Sequence, residues 1–284
     1  MVHDALLNSL RVLAHLEVLP PSERRLAAET VVKLAEALVY VAVIGEFKRG
    51  KSTLINALLG ENVLPTGVTP VTAVPTLVRF GPAARAVIYR RDGSAAPIPL
   101  AQLPDYVTER GNPGNRKHVR EVVVEHTAPL LASGLVLADT PGTGSVHRHN
   151  TETTTAFFPR IDVAVLVLTV DAPLSEAETG LLATVGGTAA RMAVCLNKTD
   201  LLSRAEVEEA LDFIRPQIAA VAQRADVAIF PISARAARAG DTDGSGLAAL
   251  CQWLEEVVVG AREVLVRERA RHVNFANVFS TPAL

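Results

Sequence analysis

The sequence is poor in aromatic residues and cysteine and carries little net charge, and each shortage excludes a class of function. Phenylalanine, tyrosine and tryptophan together make up 4% of its 284 residues, and the formal net charge is −2. A nucleic-acid-binding surface usually carries clustered basic residues interleaved with aromatic rings, so we expect no nucleic-acid partner. The two cysteines, Cys195 and Cys251, can form neither a disulfide framework nor a four-ligand metal site. We expect both thiols to be reduced and buried.

The sequence also lacks a secretion signal and a long hydrophobic run. The N-terminal segment, MVHDALLNSLRVLAHLEVLPP, has no basic flank, continuous apolar core or small-residue cleavage site. The uncharged run His126–Ala138 contains polar, proline and glycine residues and is too short to cross a bilayer as a helix. We therefore expect a cytoplasmic protein, peripheral at the inner face of a membrane at most. Any membrane contact is expected to be indirect or to involve segments absent from this chain.

The central part of the chain predicts an α/β domain. Over residues 39–245, short β-branched runs alternate with helical patterns. Such alternation is typical of a mostly parallel central sheet that is covered by helices on both faces. Eight runs are predicted to be strands: VYVAVIG, PTLVRF, AVIYR, EVVVEH, GLVLADT, VAVLVLTV, RMAVCLN and VAIFPI.

The two terminal parts predict flanking helices. Residues 1–38 have apolar side chains at helical spacing, interrupted by Pro20 and Pro21, which indicates a helical segment of two helices. Residues 246–284 return to a helical pattern up to about His272. Each segment has an apolar stripe without a partner inside the α/β unit, so we expect the two segments to pack together.

A phosphate-binding motif joins the first predicted strand to the following helix. Residues 45–52, GEFKRGKS, fit the P-loop pattern GxxxxGK[ST] in its strand–loop–helix context. Backbone N–H groups of such a loop, together with the N-terminus of the helix, bind phosphate oxygens. We predict that Lys51 contacts the β- and γ-phosphates and that the Ser52 hydroxyl binds Mg²⁺. The predicted phosphate-binding residues are Gly45, Glu46, Phe47, Lys48, Arg49, Gly50, Lys51, Ser52 and Thr53.

A second motif, DTPG, ends the strand GLVLADT. Open α/β sheets place their ligand sites at the carboxyl ends of such strands. Asp139 is predicted to hold Mg²⁺, through a water molecule, and the Gly142 N–H to contact the γ-phosphate. Alone, DTPG is equally typical of a plain turn, but its position after a P-loop favours the functional interpretation.

A third motif, NKTD, predicts the base. The Asp200 carboxylate can accept two charge-assisted hydrogen bonds from guanine N1–H and the 2-amino group, and adenine offers no matching pair. We expect Asn197 to support the loop, the Lys198 stem to cover the ring and the Ala234 N–H to reach guanine O6. The sequence therefore predicts GTP and GDP as ligands. The predicted base-binding residues are Asn197, Lys198, Asp200, Ser233, Ala234 and Arg235.

Taken together, these motifs resemble the dynamin superfamily, in particular the GTPase domain of bacterial dynamin-like proteins. The resemblance covers about residues 39–260 and rests on GEFKRGKSTLINALLG, LPTGVTPVTAVPT, DTPG and NKTD. It implies an enlarged sheet, and the long stretch between Thr72 and Asp139 leaves room for the extra strands and a helix. It also implies GTP hydrolysis, a homodimer through the nucleotide face, and membrane remodelling by a full-length protein. Thr72 falls at the family's switch I threonine, which completes the Mg²⁺ shell, and Thr69 is the competing candidate.

The chain departs from this family at catalytic positions. Thr143 follows DTPG, so this chain, like dynamin-like GTPases, has no glutamine of the kind that orients water in Ras-type enzymes. Several relatives hold a monovalent cation with a P-loop serine, but the corresponding residue here is Lys48. In guanylate-binding proteins this position carries an internal arginine finger, so Lys48 is a candidate internal cation. The alternative is that Lys48 and Arg49 are solvated loop cations. The predicted catalytic residues are Lys48, Lys51, Thr72 and Gly142.

Three functions remain compatible with the sequence. The favoured one is a hydrolysing, dimerising GTPase of the dynamin type. A second is a non-hydrolysing GTP-dependent assembly scaffold, and a third is a ribosome-assembly GTPase of the Era type, which would normally append a basic RNA-binding domain. His147 and His149 suggest either a metal site or a solvated loop; Mg²⁺ is the only metal that we predict.

Overall fold

The computed structural model describes residues 10–15, 19–36, 38–67, 72–142, 157–171 and 174–258. The chain divides into two compact units, of which one is Tyr40–Glu255 and the other combines Met1–Val39 with Glu256–Leu284. The boundaries predicted from the sequence, a helical segment over 1–38, a GTPase domain over 39–245 and a helical segment over 246–284, stay predictions. So does the pairing of the two terminal segments.

The larger unit is built on one nine-stranded sheet. Across the sheet the strands follow the order β4-β3-β5-β2-β6-β1-β7-β8-β9. The predicted fold class, an α/β fold with an enlarged, mostly parallel central sheet and flanking helices, is confirmed. The strands are β1 (Val39–Ile44), β2 (Thr76–Phe80), β3 (Arg85–Arg90), β4 (Ala95–Ile98), β5 (Val119–His126), β6 (Leu135–Asp139), β7 (Val163–Thr169), β8 (Arg191–Asn197) and β9 (Ala228–Pro231).

One side of the sheet, from β1 to β9, is parallel throughout. Strand β7 pairs in parallel with β1 and β8, and β8 pairs in parallel with β9. All seven residues of β7 are buried, as expected for a strand covered on both faces. Cys195 is buried in β8, as predicted, whereas Cys251 is only half-buried. Because parallel strands run in the same direction, the loops after β1, β7 and β8 emerge at one edge of the sheet.

The other side of the sheet contains a strand that the sequence pattern did not predict. Strand β2 is parallel to β5 and antiparallel to β6, and β3 is antiparallel to β5 and β4. Strand β4 has the sequence AAPI, in which only Ile98 is buried. It has neither alternation nor β-branched enrichment, and it forms because a tight turn at Gly93, with φ 89°, returns the chain along β3.

The helix expected between β4 and β5 is shorter than the resemblance implies. This segment forms a 3₁₀ turn and a single α-helical turn, Pro104–Val107, after which Thr108 is extended. The same turn contacts the segment of the predicted switch threonine. Thr72 and Thr108 form an isolated antiparallel bridge, and the Ala73 N–H donates to the Val107 carbonyl at 2.7 Å.

Two of the helices have well-defined N-terminal caps. Ser175 and Ser203 each form a reciprocal capping box with the glutamate three residues later, which fixes where the following helix begins. Among the described residues, no helix has both the length and the apolar character required to cross a bilayer. Besides the turn Pro104–Val107 and the helical residues 10–15, the described helices are α1 (Pro21–Glu36), α2 (Lys51–Leu59), α3 (Glu176–Gly186), α4 (Arg204–Ala222), α5 (Ala234–Arg238) and α6, which is described over 247–258.

Two glycines of α3 provide a matched test of its packing against α4. A Cβ at buried Gly186 would lie 2.8 Å from the Ala222 carbonyl oxygen, whereas a Cβ at exposed Gly180 would meet nothing within 4 Å. We expect Gly186→Ala to lower the free energy of unfolding by about 1–3 kcal/mol, because the added methyl overpacks the contact. Gly180→Ala should raise it by about 0.5–1 kcal/mol, because it reduces the entropy of the unfolded chain. Urea denaturation followed by circular dichroism measures both, and equal effects would contradict this packing.

Candidate nucleotide-binding site

A cavity of about 500 Å³ lies beside the loops that follow β1 and β8. Of the predicted site residues, Gly45, Glu46, Arg49, Asp139 and Ser233 do not line it, and the others do. The lining residues are Phe47, Lys48, Gly50, Lys51, Ser52, Thr53, Thr66, Gly67, Thr72, Gly142, Asn197, Lys198, Asp200, Leu201, Ala234 and Arg235. Thr66, Gly67 and Leu201 are additional to the prediction, although the first two belong to the stretch that carries the family resemblance.

The two glycines of the P-loop are required by close contacts. Gly45 has φ 143°, and a Cβ there would lie 2.6 Å from the Val167 carbonyl oxygen of β7. Gly50 has φ 93°, and a Cβ there would lie 2.4 Å from Asn197 Nδ2. Both the left-handed backbone and the lack of space exclude larger residues. The loop is therefore fixed against the ends of β7 and β8.

Lys51, the first residue of α2, is buried beneath this loop. Its Nζ donates hydrogen bonds to the carbonyl oxygens of Gly45 at 3.0 Å and Glu46 at 2.9 Å. Burial lowers the pKa of Lys51 to about 8, and the Asp139 and Glu178 carboxylates act in the opposite direction. Because Lys51 also lines the cavity, its ammonium can contact a phosphate placed there.

The three residues predicted to hold Mg²⁺ lie together. The hydroxyls of Ser52 and Thr72 both donate to Asp139 Oδ2, at 2.7 and 3.0 Å. The other carboxylate oxygen, Oδ1, is buried and has no hydrogen-bond partner among the described residues. Burial is the main cause that raises the pKa of Asp139, and Lys51 opposes it. Hard oxygen donors of this kind fit Mg²⁺. The competing switch threonine, Thr69, lies outside the described residues.

Asn197 connects the P-loop to the loop after β9. Its Nδ2 donates to the Arg49 carbonyl at 2.8 Å, and its Oδ1 accepts the Ala234 N–H at 3.1 Å. The Ala234 N–H is therefore already paired within the protein, so the predicted contact with guanine O6 would have to share this donor. These two bonds are contacts by which Asn197 can support the loop, as the sequence predicts.

Asp200, the residue predicted to bind the base, lines the cavity and is held there by two contacts. Its Oδ1 accepts the Ser233 hydroxyl at 2.5 Å, and Ser233 also caps α5. Its Oδ2 pairs with Arg235 at 2.5 Å, but the Arg235 side chain is 79% exposed, and surface ion pairs of this kind are weak. Lys198 adopts φ 66°, and its Nζ lies 3.5 Å from Asp171 Oδ2.

The two adjacent cations of the P-loop have different environments. Arg49 is 9% exposed, and its guanidinium donates to Thr169 Oγ1 at 2.6 Å and to Glu46 Oε2 at 2.8 Å. It also forms an ion pair with Glu178, from Nε to Oε1 at 2.8 Å. The alternative of two solvated cations is therefore wrong for Arg49. Lys48 is exposed, with its Nζ 5.4 Å from the centre of the Phe47 ring.

Several sequence interpretations fall outside the described residues. Thr143, His147 and His149 belong to these, so the proposed switch II loop and its histidine pair stay predictions. Within the described part of the chain, no three His, Cys, Asp or Glu side chains form a group that could hold a metal ion. Only the mixed hydroxyl and carboxylate set at Asp139 has the chemistry of a cation site there.

The buried ammonium of Lys51 makes stability depend on pH in a defined direction. Its pKa in the folded protein, about 8, lies below the value of 10.5 expected for an unfolded chain. The folded state then binds fewer protons between these values, so the free energy of unfolding rises with pH in this range. We expect it to rise by about 2 kcal/mol more for wild type than for Lys51→Met between pH 7.5 and 9.5, without nucleotide. Denaturant titrations at these pH values measure the difference, and parallel curves would contradict the burial of this charge.

Comparisons with known proteins agree with these motifs. Residues 41–199 match the dynamin family. The chain is 37% identical over 242 residues to an uncharacterized protein in the xynA 3′ region of a Caldicellulosiruptor species, covering 84% of this chain and 60% of that protein. It is 30% identical over 216 residues to a probable transmembrane GTPase, FZO-like and chloroplastic, of Arabidopsis thaliana, covering 76% and 21%. It is 34% identical over 128 residues to the bacterial dynamin-like protein of Nostoc punctiforme, covering 41% and 18%.

These relatives are longer than this chain, which spans 60% of the first and about a fifth of the other two. A solved structure of an oligomerised bacterial dynamin pair matches with a TM-score of 0.66 and 16% identity, over 96% of this chain and 46% of that one. At that identity the likeness supports the fold alone. The family match, by contrast, includes the P-loop, DTPG and most of NKTD. The chain belongs to the dynamin family and contains a dynamin-like GTPase domain.

Proposed function

We propose that this chain binds GTP with Mg²⁺ and hydrolyses it to GDP and phosphate. One observation carries the proposal: the phosphate, metal and base motifs, which are far apart in sequence, meet at a single cavity. Lys51 and Ser52 come from the P-loop, Asp139 is bonded to Ser52, and Asp200 belongs to the loop after β8. A chance occurrence of one motif would not bring all three together.

The chain's own groups account for binding of the triphosphate. The backbone N–H groups of residues 46–52 and the N-terminus of α2 would bind the phosphates, and Lys51 would add a positive charge. Ser52, Thr72 and Asp139 would hold the metal ion, the last through a water molecule. When bound, Mg²⁺ neutralises charge that develops on the β- and γ-phosphate oxygens.

The base is selected by Asp200. Ser233 holds one carboxylate oxygen, and the second is paired only with the exposed Arg235. Guanine N1–H and the 2-amino group can replace that weak surface pair. Lys198 and Leu201 line the same part of the cavity and can cover the ring faces.

Hydrolysis transfers the γ-phosphoryl group to water. The water oxygen forms a bond to phosphorus, the bond from phosphorus to the β–γ bridging oxygen breaks, GDP leaves with the electron pair, and one water proton passes to an oxygen of the phosphate product. We propose that the Lys48 ammonium stabilises the charge on that bridging oxygen, because Lys48 is exposed and lines the cavity next to the phosphate loop. Gly142, also in the lining, contributes its N–H to the γ-phosphate.

We further propose that a second copy of the chain docks on the nucleotide face and holds Lys48 in its catalytic position. A flexible lysine loses side-chain entropy when it is held in one position, and a partner docked over the nucleotide face would reduce that loss. The expected signs are turnover per molecule that rises with protein concentration and little difference between potassium and sodium buffers. Oligomerisation is described for the matched bacterial dynamin pair.

Membrane remodelling is proposed only for the full-length protein. The support is the transmembrane GTPase among the relatives and the sensing and tethering of membranes described for the matched dynamin pair. A non-hydrolysing scaffold is the alternative, favoured by the absence of a Ras-type glutamine after DTPG. Multiple-turnover phosphate release from GTP distinguishes the two, since a scaffold would release none.

Asp200→Asn should change the preferred base. The asparagine amide can donate to the 2-oxo group of xanthine, whereas it leaves one guanine donor without an acceptor. Loss of a hydrogen bond to a charged group is worth about 1.5–3 kcal/mol, so GTP affinity should fall roughly 10- to 100-fold while xanthosine triphosphate affinity rises. Calorimetric titration with GTP, xanthosine triphosphate and ATP measures this. Equal affinity of the wild type for ATP and GTP would refute the base assignment.

Lys48→Ala should separate catalysis from binding. We expect kcat to fall about 100-fold or more, as for the loss of a preorganised charge at a transition state, while GTP affinity changes by less than about threefold. The matched control is Lys117→Ala, which removes an exposed lysine that binds the Asp105 carbonyl away from the cavity. It should leave turnover unchanged. Normal hydrolysis by Lys48→Ala, or strong stimulation of the wild type by potassium, would indicate a bound cation instead.

A further inference from the structure

Arg49 is one of three basic residues in the P-loop, and its side chain lies in a buried polar cluster and does not line the cavity. Its guanidinium contacts Thr169 at the end of β7, Glu46 in the loop itself and Glu178 in the first turn of α3. One hydrogen bond joins Arg49 to Glu178, from Nη2 to Oε2 at 3.2 Å, and Nε lies 2.8 Å from Oε1 as an ion pair without hydrogen-bond geometry. Together with the bonds to Thr169 and Glu46, these contacts restrict the orientation of the guanidinium.

The backbone of the same residue is fixed as well. The Arg49 carbonyl accepts the Asn197 Nδ2 hydrogen bond at 2.8 Å. Its chain neighbours, Lys48 and Gly50, both have positive φ values, 65° and 93°, and both line the cavity. Because Arg49 is held both at its carbonyl and at its guanidinium, the orientation of the two peptide groups that flank it is restricted. Under the proposed function, these peptides include N–H groups that would bind the phosphates.

Glu178 has two roles in this cluster. Its side chain has no exposed surface, and its Oε2 accepts the Ser175 N–H at 3.0 Å as part of the capping box of α3. The start of α3 is thereby connected to the P-loop through one carboxylate. Burial raises the pKa of Glu178, and its hydrogen bond from Ser175 and the Arg49 charge oppose that rise.

The cluster also bears on the charge around bound phosphate. Glu46 and Glu178 place two carboxylates beside a loop that binds polyanions, and their negative potential opposes phosphate binding. Arg49 contacts both and compensates part of that charge. Its removal would leave an anionic pair next to the phosphate site.

We propose that Arg49 and Glu178 are positioning residues for the GTPase reaction. They hold the P-loop so that the Lys48 side chain and the loop N–H groups face the nucleotide, and they tie this loop to the start of α3. This inference rests on the proposed function for its chemistry. The alternative is that the ion pair contributes to folding stability alone and has no effect on the reaction.

Glu178→Gln tests the proposal, because glutamine keeps an acceptor for Ser175 but removes the charge that holds Arg49. Arg49→Lys is the second variant; it keeps a positive charge but lacks the planar guanidinium that contacts Thr169, Glu46 and Glu178 at once. The matched control is Glu121→Gln, which removes the charge of another buried carboxylate, paired with Arg120 and Arg160 outside the cavity. Each protein is compared at a temperature where circular dichroism shows it to be folded.

The expected result is a selective loss at the P-loop. In nucleotide-free protein, hydrogen exchange of a peptide over residues 45–50 should be faster in Glu178→Gln and Arg49→Lys than in wild type and in Glu121→Gln. At saturating GTP, kcat should fall at least about tenfold in the first two variants, since small displacements of reacting groups carry large rate penalties. Glu121→Gln should lose stability but keep wild-type kcat.

Other outcomes overturn the proposal. If Glu178→Gln and Arg49→Lys lower only the midpoint of thermal unfolding, with wild-type exchange and kcat, the pair is structural. If Glu178→Gln fails to fold, Arg49→Lys decides by the same two readouts. A wild-type protein that neither binds nor hydrolyses GTP refutes the proposed function itself, and hydrogen exchange still shows whether the pair positions the loop.

Discussion

The side-chain amide of Asn197 joins the two loops on which the whole site depends. It donates to the P-loop at the Arg49 carbonyl and accepts from the loop after β9 at the Ala234 N–H. The contact is so close that a Cβ at Gly50 would lie 2.4 Å from Nδ2. Any side chain at residue 50 would therefore displace the Asn197 amide. This one amide connects the P-loop, where phosphate is predicted to bind, to Ala234, where the base is predicted to bind.

The site buries two ionisable groups, Lys51 and Asp139, and this burial is unfavourable. Burial lowers the pKa of Lys51 and raises the pKa of Asp139, and in each case it disfavours the charged form that a nucleotide and a metal ion would require. Neighbouring strands offset this cost, since β7 is buried over its whole length and presents seven residues to the core. A site of this kind lowers the stability of the ligand-free protein, and bound ligand restores it by mass action.

Much of the fold and of the candidate site could be predicted because the relevant patterns lie within short stretches of the sequence. Continuous apolar runs identified eight of the strands, and Ser52 of the predicted P-loop lies within hydrogen-bond distance of Asp139. Strand β4 was missed because AAPI has no periodicity, and its formation depends on pairing with β3. The role of Glu178 was also missed. Its spacing from Ser175 indicates a helix cap, but only the tertiary fold brings its carboxylate to a residue that lies 129 positions earlier.

The short turn Pro104–Val107 has a mechanical consequence. Thr72 reaches Asp139 with its side chain while its backbone forms a bridge with Thr108, and the next residue is bonded to Val107. A displacement of Thr72 must therefore either break these backbone contacts or carry the turn with it. The same inserted segment leads from β4 into β5. The backbone around Thr72, the predicted switch threonine, is therefore connected through this turn to the segment that follows the edge strand β4.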